Sequence, residues 1–324
     1  MAKIGVYFDA KASDEERRAA IYSGDIFIYS ATPASLAPIG FAWELLREAF
    51  SGLNPRAVHN HKTKEEVAAV LLKLKPYFIH HPRCKELLPQ LLAELGCNLD
   101  ETYFDVPRLR SAYPSNFLTT GIAYAFPPHR DTWFSAPFCQ VNWWIPLHEI
   151  TPENAMGFYP HLFDTAVENN SEIYNYYEWN VARGEQAKQI GSRQMIVPGD
   201  VQGPATTYLP EPGGIIAFSG AQLHQTMPNT SGLCRYSIDF RTVHIDDAFA
   251  KRGARNVDSR STGSAIRDYL KASDPTERLP ERVIVCYNDG TEAKGALIHD
   301  GYLAQLGRQS REISGRRDVA APED

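Results

Sequence analysis

Cysteine is scarce in this sequence, and no two cysteines form the C-x-x-C pair that zinc ribbons and many redox sites use. The five cysteines are dispersed and odd in number, which argues against a disulfide framework and favours a reducing compartment. Apolar runs are short as well: none approaches the roughly 20 residues that a membrane helix needs, and residues 1–9 lack the apolar core of a signal peptide. We therefore expect a cytoplasmic protein without a membrane partner, in an oligomeric state that the sequence does not indicate.

An excess of positive charge is also absent. The formal net charge is −6, and outside the C-terminal tail no dense Lys/Arg cluster offers a basic face to a phosphate backbone. Nucleic acid is therefore not an expected partner. The 324 residues are 43% hydrophobic and 22% charged, a balance typical of a soluble protein with a large core. We predict a single domain that spans residues 1–324.

Helix signals dominate residues 1–100, and strand signals dominate residues 101–247. Ser13 and Thr63 each begin a capping box, and Thr32 before a proline is typical of a helix N-cap. Helices followed by many short strands and turns predict the α+β class. The expected core is a double-stranded β-helix, a cupin-like jelly-roll, with the helices packed on one face. The expected strands lie in residues 118–126, 140–147, 213–218 and 234–241.

Two further segments do not follow the strand pattern. Residues 165–200 are aromatic and polar, as in a lid or binding loop inserted into the core, although an ordinary packed excursion has the same composition. Residues 248–324 form a charged, Gly/Ser-rich C-terminal extension. Within it we predict a helix over residues 265–272, a strand over 283–287 and a disordered end over 314–324.

Metal-binding chemistry is indicated by His129 and Asp131, which follow a Pro-Pro turn. On an extended backbone, side chains two residues apart point to the same side, so these two can occupy adjacent positions around a metal ion. His224, after an apolar strand and a Gly turn, is the best candidate for a third ligand. Together they would form a two-His, one-carboxylate site with open positions. The alternative is a surface turn in which Asp131 bonds to nearby backbone.

Arg235 and Ser237 follow His224 on the next expected strand. That strand would carry Arg235 back into the core beneath the metal, where a guanidinium and a hydroxyl can grip a carboxylate. The alternative is a surface ion pair at Arg235. Arg241 is a second, less favoured cation on the same strand.

Residues 124–241 resemble the iron(II)- and 2-oxoglutarate-dependent dioxygenases, in particular the phytanoyl-CoA hydroxylase-like branch. The matching residues are the His129-Arg130-Asp131 motif, His224, and Arg235 with Ser237. The strand over residues 140–147 and the Thr-Pro-Glu-Asn turn over 151–154 also resemble that branch, in which a Gly usually follows. Here Ala155 replaces that Gly. The replacement lies in a turn and does not change a proposed metal ligand.

The resemblance implies an oxidoreductase that uses iron(II), 2-oxoglutarate and O₂. His129, Asp131 and His224 would bind the metal, and 2-oxoglutarate would be converted to succinate and CO₂ while a bound substrate is oxidised. Arg235 would bind the distal carboxylate of 2-oxoglutarate with help from Ser237. The near carboxylate would be contacted by Asn142 or Gln140. Related halogenases have Gly or Ala at the position of Asp131, so the retained carboxylate favours hydroxylation, desaturation or cyclisation.

The substrate is expected to be a small polar metabolite, amino-acid-like, from a biosynthetic pathway. Arg130, Arg183 and Arg193 are candidate contacts for an anionic group, and aromatic residues of the strands and of residues 174–179 are candidate pocket walls. Two other functions remain open. One is a cupin-type metalloenzyme, such as an isomerase or cofactor-free dioxygenase, that needs no 2-oxoglutarate. The other is a non-catalytic binding protein on the same scaffold.

Overall fold

The computed structural model of the chain describes residues 4–180 and 196–291. The first hundred residues are mainly helical, and the capping residues predicted from the sequence do begin helices. Ser13 and Thr63 each accept a hydrogen bond from the main-chain N–H three residues later, and Thr32 caps a helix whose first residue is proline. The four helices are α1 Asp14–Tyr22, α2 Pro33–Ala49, α3 Lys64–His80 and α4 Pro82–Glu94.

Eleven strands in the described part of the chain form two sheets. In order, they are β1 Val6–Phe8, β2 Ile26–Tyr29, β3 Thr102–Phe104, β4 Arg108–Ala112, β5 Val141–Pro146, β6 Met156–Phe158, β7 Thr206–Thr207, β8 Ile215–Ser219, β9 His224–Thr226, β10 Arg235–His244 and β11 Leu270–Lys271. The large sheet has the order β1-β2-β8-β5-β10-β3-β11 with β4 also beside β10, and the small one has the order β7-β6-β9. Apart from the parallel pair β1-β2, all pairings are antiparallel. The fold is therefore mixed α/β with one large, mostly antiparallel sheet; the double-stranded β-helix remains a prediction.

The two faces of the large sheet have different neighbours. Tyr236, Ile238 and Phe240 of β10 belong to the main hydrophobic core, which α2, α3 and α4 complete on one face, as predicted. Strand residues alternate between faces, so Arg235, Ser237, Asp239 and Arg241 of the same strand lie on the other face. On that inner face, Trp144 of β5 and Phe218 of β8 pack with Met156 and Phe158 of the small sheet. These polar and charged side chains of β10 thus lie on the face of the large sheet that is turned toward the small sheet.

Three expected elements are wrong. Residues 118–126 contain a 3-10 turn, Gly121–Ala123, and no strand, since Gly121 has a φ of +58° that ends an extended run. Residues 265–272 form a 3-10 turn and then β11, not a helix. Residues 283–287 are the end of the short helix Glu281–Ile284 and a following 3-10 turn, because Val283 and Ile284 pack into a core cluster with Ala248.

The C-terminal extension follows β10 through a short helix, Ile245–Ala250. The predicted disordered end over residues 314–324 lies outside the described residues, as do residues 181–195 of the predicted lid. No helix in the described part of the chain is both long and apolar enough to cross a membrane. The single-domain assignment remains a prediction.

Candidate metal centre

The two candidate histidine ligands lie directly opposite each other. His129 and His224 form an isolated antiparallel bridge in which each main-chain N–H donates to the carbonyl oxygen of the other, at 2.9 Å in both cases. Their imidazole centroids are consequently only 4.3 Å apart. A contact across 95 residues of sequence thus joins the His-x-Asp motif to the first residue of β9.

The hydrogen bonds of both imidazoles define which nitrogen is available to a metal. Nδ1 of His129 lies 2.8 Å from the carbonyl oxygen of Pro127, and Nδ1 of His224 lies 2.8 Å from that of Gln222. A carbonyl can only accept, so Nδ1 carries the proton in each ring and Nε2 keeps its lone pair. Burial, and then the neighbouring imidazole, lower the pKa of His224 to about 4, so its ring is neutral near pH 7. In both rings, Nε2 is therefore the nitrogen that faces the candidate metal position.

Asp131 completes the cluster. Arg130 has an extended backbone, with φ −108° and ψ 141°, which places the side chains of residues 129 and 131 on the same side, as predicted. Oδ1 of Asp131 lies 3.6 Å from Nε2 of His129 and 3.9 Å from Nε2 of His224. Both separations are below the span of two metal–ligand bonds of about 2.1 Å each. Among residues 4–180 and 196–291, this is the one group of three potential ligand residues close enough to share an ion.

The second carboxylate oxygen of Asp131 is held by two amides. Nε2 of Gln140 donates to Oδ2 at 2.9 Å, and Nδ2 of Asn142 donates to it at 2.8 Å. Gln140 is itself fixed by the hydroxyl of Tyr269, which donates to its Oε1 at 2.6 Å. With Oδ2 occupied, Oδ1 is the oxygen left for a metal. Gln140 and Asn142 thus position a ligand; their contact with a cosubstrate remains a prediction.

Arg241 maintains the negative charge of Asp131. Burial alone would raise the pKa of this carboxyl, but the Arg241 guanidinium and the two imidazoles hold it well below its ordinary value. Nε of Arg241 lies 3.6 Å from Oδ2 of Asp131, and its register partner on β5 is Asn142. The less favoured cation of the sequence analysis therefore lies beside the candidate metal ligand.

Arg235 is buried between the sheets, and no carboxylate of the described residues lies within ion-pair distance of it. Its guanidinium lies 5.4 Å from the ring centroid of Trp144, donates from Nε to the carbonyl oxygen of Asn154 at 3.1 Å and from one terminal nitrogen to Oγ of Ser237 at 2.7 Å. No acidic group of the described residues forms an ion pair with it, and burial lowers its pKa to about 10. The surface ion pair considered for Arg235 is therefore wrong. A buried, unneutralised cation is costly unless an anion joins it.

Apolar rings connect Arg235 with the metal cluster. Phe218 lies 5.0 Å and Phe158 6.4 Å from the imidazole centroid of His224, and both share a hydrophobic cluster with Trp144. Buried aromatic rings thus link His224 to Trp144, whose ring lies against the Arg235 guanidinium. A carboxylate chain that reaches from the metal toward Arg235 would meet this lining.

Arg130 does not face a substrate, contrary to one expectation. It is 1% exposed and forms an ion pair with Asp258 at 3.0 Å. Its guanidinium also donates to the carbonyl oxygens of Ala221, at 2.5 Å, and of Leu162, at 2.8 Å. Asp258 accepts a further hydrogen bond from Nε1 of Trp133 at 2.7 Å. The C-terminal extension therefore anchors the ligand loop on both sides of Asp131. Arg183 and Arg193 lie outside the described residues.

The residues that the sequence analysis missed act through long-range pairing. Arg241 was singled out only as a less favoured cation and Asn154 only as part of a turn, whereas Asp258 and Tyr269 were not considered. Their contacts depend on strand register and on the path of the C-terminal extension, neither of which has a local sequence pattern. The Thr-Pro-Glu-Asn turn was the one available signal for Asn154, whose carbonyl oxygen holds Arg235.

No family model and no curated protein matches the chain. Solved structures give distant similarities. AviO1 from Streptomyces viridochromogenes Tue57 is 16% identical with a TM-score of 0.37, and the match covers 74% of this chain and 97% of AviO1. EvdO2 from Micromonospora carbonacea var. aurantiaca, complexed with 2-oxoglutarate, is 18% identical with a TM-score of 0.39, covering 75% and 94%. The nickel complex of the non-haem monooxygenase ThoJ is 16% identical with a TM-score of 0.34, covering 88% and 93%. With TM-scores this low, the function has to be inferred from the chain's own residues.

Proposed function

We propose that this chain is a non-haem iron(II)- and 2-oxoglutarate-dependent oxygenase that hydroxylates, desaturates or cyclises a small-molecule metabolite. The observation that carries the proposal is a buried guanidinium, Arg235, that has no ion-pair partner among the described residues and is linked by buried aromatic rings to a buried cluster of two histidines and one carboxylate. Two imidazoles and a carboxylate with open positions suit iron(II). A 2-oxo dicarboxylate satisfies both ends, since it chelates the metal at one end and neutralises the guanidinium at the other.

The phytanoyl-CoA hydroxylase-like branch is the finer placement that we propose. Its support is the turn over residues 151–154, where the carbonyl oxygen of Asn154 accepts the Nε–H of Arg235. Ala155, which replaces the usual Gly, is fully buried in the cluster that contains Phe158. Its methyl group is accommodated as core, so the departure from the motif leaves the contact to Arg235 in place.

Each group of residues would have a separate role in the reaction. Iron(II), when bound by His129, Asp131 and His224, supplies the redox chemistry that activates dioxygen and oxidatively decarboxylates 2-oxoglutarate to succinate and CO₂. Arg235 and Ser237 bind and orient the distal carboxylate of the cosubstrate. The ionised Asp131, held by its two amide donors, keeps its coordination position, which leaves no place there for a halide and favours hydroxylation, desaturation or cyclisation.

The test is succinate formation. Protein loaded anaerobically with iron(II) is given 2-oxoglutarate and air, with and without a mixed metabolite pool, beside His129→Ala and Arg235→Gln variants. We expect succinate that rises with the pool and is lost in both variants. Lys64→Gln, at an exposed position in the N-terminal part, is the control that should retain it.

The opposite result identifies the other candidates. Protein that holds one iron per chain but forms no succinate, with or without the pool, contradicts the oxygenase proposal and favours a cupin-type metalloenzyme. Protein in which Asp131→Ala causes no loss of metal contradicts the metal centre itself and favours a non-catalytic binding protein.

A further inference from the structure

Two aromatic rings other than those beside His224 lie against His129. The centroid of Phe126 is 4.9 Å from that of the His129 imidazole, and Phe134 is 5.7 Å from it in an edge-on contact. Phe158 and Phe218, beside His224, are fully buried, whereas Phe126 and Phe134 are only half-buried. Accessible aromatic surface therefore lies at one edge of the metal cluster.

These rings continue into a larger aromatic surface. Phe126 contacts Tyr124 at 5.0 Å, Phe134 contacts Tyr174 at 5.3 Å, and Tyr174 contacts Trp179 at 5.8 Å. We call these five residues the aromatic wall. All but Tyr174 are half-buried, and the last two belong to the segment predicted as a lid. The wall thus extends from a metal ligand to the inserted segment.

The arginine beside Phe126 already has a partner, and it shares that partner with Arg241. The Arg110 guanidinium lies 5.5 Å from the ring centroid of Phe126 and pairs with Asp239 through two contacts, at 2.5 and 3.2 Å. Arg241 pairs with Asp239 at 3.2 Å and with Asp105 at 3.5 Å. Although burial opposes it, the two arginines lower the pKa of Asp239 to about 2, so these pairs are intact near pH 7. An anionic group that contacts Arg110 would therefore compete with an existing ion pair.

We infer that the primary substrate presents an uncharged, planar aromatic or conjugated ring to the aromatic wall, in contact with Phe126 and Phe134. The inference rests on the proposed function for the role of the site and names its substrate class. Ring pairs at centroid distances of 4.5–7 Å gain energy beyond simple burial, and Arg110 adds a cation to the same surface. The carboxylate of an amino-acid-like zwitterion, the expectation from sequence, would have to compete with Asp239 for Arg110.

The experiment measures binding of three probes to the full chain loaded with iron(II) and 2-oxoglutarate without oxygen. The probes are 2-naphthol, which is planar and uncharged; phenylalanine, a zwitterion with a ring; and cyclohexanol, which is uncharged but not planar. The variants are Phe126→Leu and Phe134→Leu, which keep apolar volume and remove the ring. Phe249→Leu is the matched control, since Phe249 is exposed and has the Arg282 guanidinium 5.7 Å from its ring, much as Phe126 has Arg110.

We expect 2-naphthol to bind more tightly than either other probe. Each wall variant should weaken its binding by about 5-fold, the value of one aromatic contact, and Phe249→Leu should leave it unchanged. Phenylalanine binding at least as tightly as 2-naphthol, or equal 2-naphthol affinity in the wild type and both wall variants, would overturn the inference. Thermal midpoints confirm that each variant is folded, and a Tyr174→Leu variant replaces either one that is not.

Failure of this inference can be told from failure of the proposed function in the same samples. Iron(II) and 2-oxoglutarate affinities are measured before any probe is added. If both bind and 2-naphthol does not, the substrate class is wrong and the oxygenase proposal is untouched. If 2-oxoglutarate does not bind but 2-naphthol binding depends on Phe126 and Phe134, the wall is a ligand site and the cosubstrate proposal is wrong.

Discussion

Replacing Arg235 with methionine separates a ligand-binding role from a structural one. Methionine is unbranched and apolar, so Arg235→Met fills much of the same space against Trp144 while removing the charge. In the free protein the buried guanidinium has no carboxylate partner among the described residues. Substitution of buried charged groups by apolar ones is often neutral or stabilising by about 1–4 kcal/mol. The substitution also removes two hydrogen bonds, to Asn154 and Ser237, which lowers the free energy of unfolding by about 1 kcal/mol each.

These opposing terms predict a free energy of unfolding within about 2 kcal/mol of the wild-type value. The affinity for 2-oxoglutarate should change far more. Removing one partner of a buried, hydrogen-bonded charge pair costs about 3–5 kcal/mol of binding energy, which raises the dissociation constant by roughly two to three and a half orders of magnitude. A large loss of affinity without a loss of stability is the expected signature of a ligand-binding arginine.

The assay combines calorimetric titration of 2-oxoglutarate into anaerobic iron(II)-loaded protein with thermal unfolding in its presence and absence. Wild-type protein should gain thermal stability from 2-oxoglutarate, and Arg235→Met should not. The matched control is Arg252→Met, which removes an ion pair with Asp247 from an exposed arginine and should leave 2-oxoglutarate affinity unchanged. An affinity within 3-fold of wild type, or destabilisation above about 4 kcal/mol without a ligand effect, would refute the reasoning.

Three further changes test the surroundings of the site. Asp258→Asn leaves the buried Arg130 without its ion-pair partner, and should lower the free energy of unfolding by about 3 kcal/mol, measured by urea denaturation; a midpoint equal to wild type would contradict this anchor. Asn142→Leu removes one hydrogen-bond donor to Asp131 and should weaken iron(II) binding by about 10- to 100-fold. Anaerobic competition with a chelator measures this affinity. An affinity equal to that of the wild type would show that Gln140 alone is enough to hold Asp131 in place. Burial lowers the pKa of His148 to about 4 in the folded protein, against about 6.5 in the unfolded chain. Burial of the neutral imidazole therefore contributes to stability at neutral pH. This contribution is lost as the pH falls from about 6.5 to about 4. The wild type should therefore lose up to about 3 kcal/mol more than His148→Gln over that interval, and parallel stability–pH curves would contradict the assignment.

The metal cluster could be predicted from the sequence because its pieces have local signals. A Pro-Pro turn followed by His-x-Asp fixes the relative direction of two side chains, and a Gly turn after an apolar strand predicts the start of the next strand, at His224. The pairing of His129 with His224 needed only that the two segments meet at the same end of the fold. Capping residues predicted the N-terminal helices for the same reason, since caps act within three residues.

What could not be predicted depends on contacts between distant segments. Arg241 lies beside Asp131 because β10 and β5 pair in a register that puts it opposite Asn142. Asp258 reaches Arg130 from the C-terminal extension, whose path has no sequence pattern. The short apolar run over residues 283–287 fits either a strand or a helix turn, and its packing against Ala248 decided between them.

The most direct test of the account is an anaerobic titration of the metal-free protein with iron(II) and then with 2-oxoglutarate, followed by visible absorption. A 2-oxo acid that chelates iron(II) gives a charge-transfer band that neither component gives alone. We predict one iron per chain, a band that appears only when both are bound, its loss in Asp131→Ala, and its displacement to much higher 2-oxoglutarate concentrations in Arg235→Met. A band that persists unchanged in Asp131→Ala, or no band from protein that holds one iron per chain, would contradict the proposed centre.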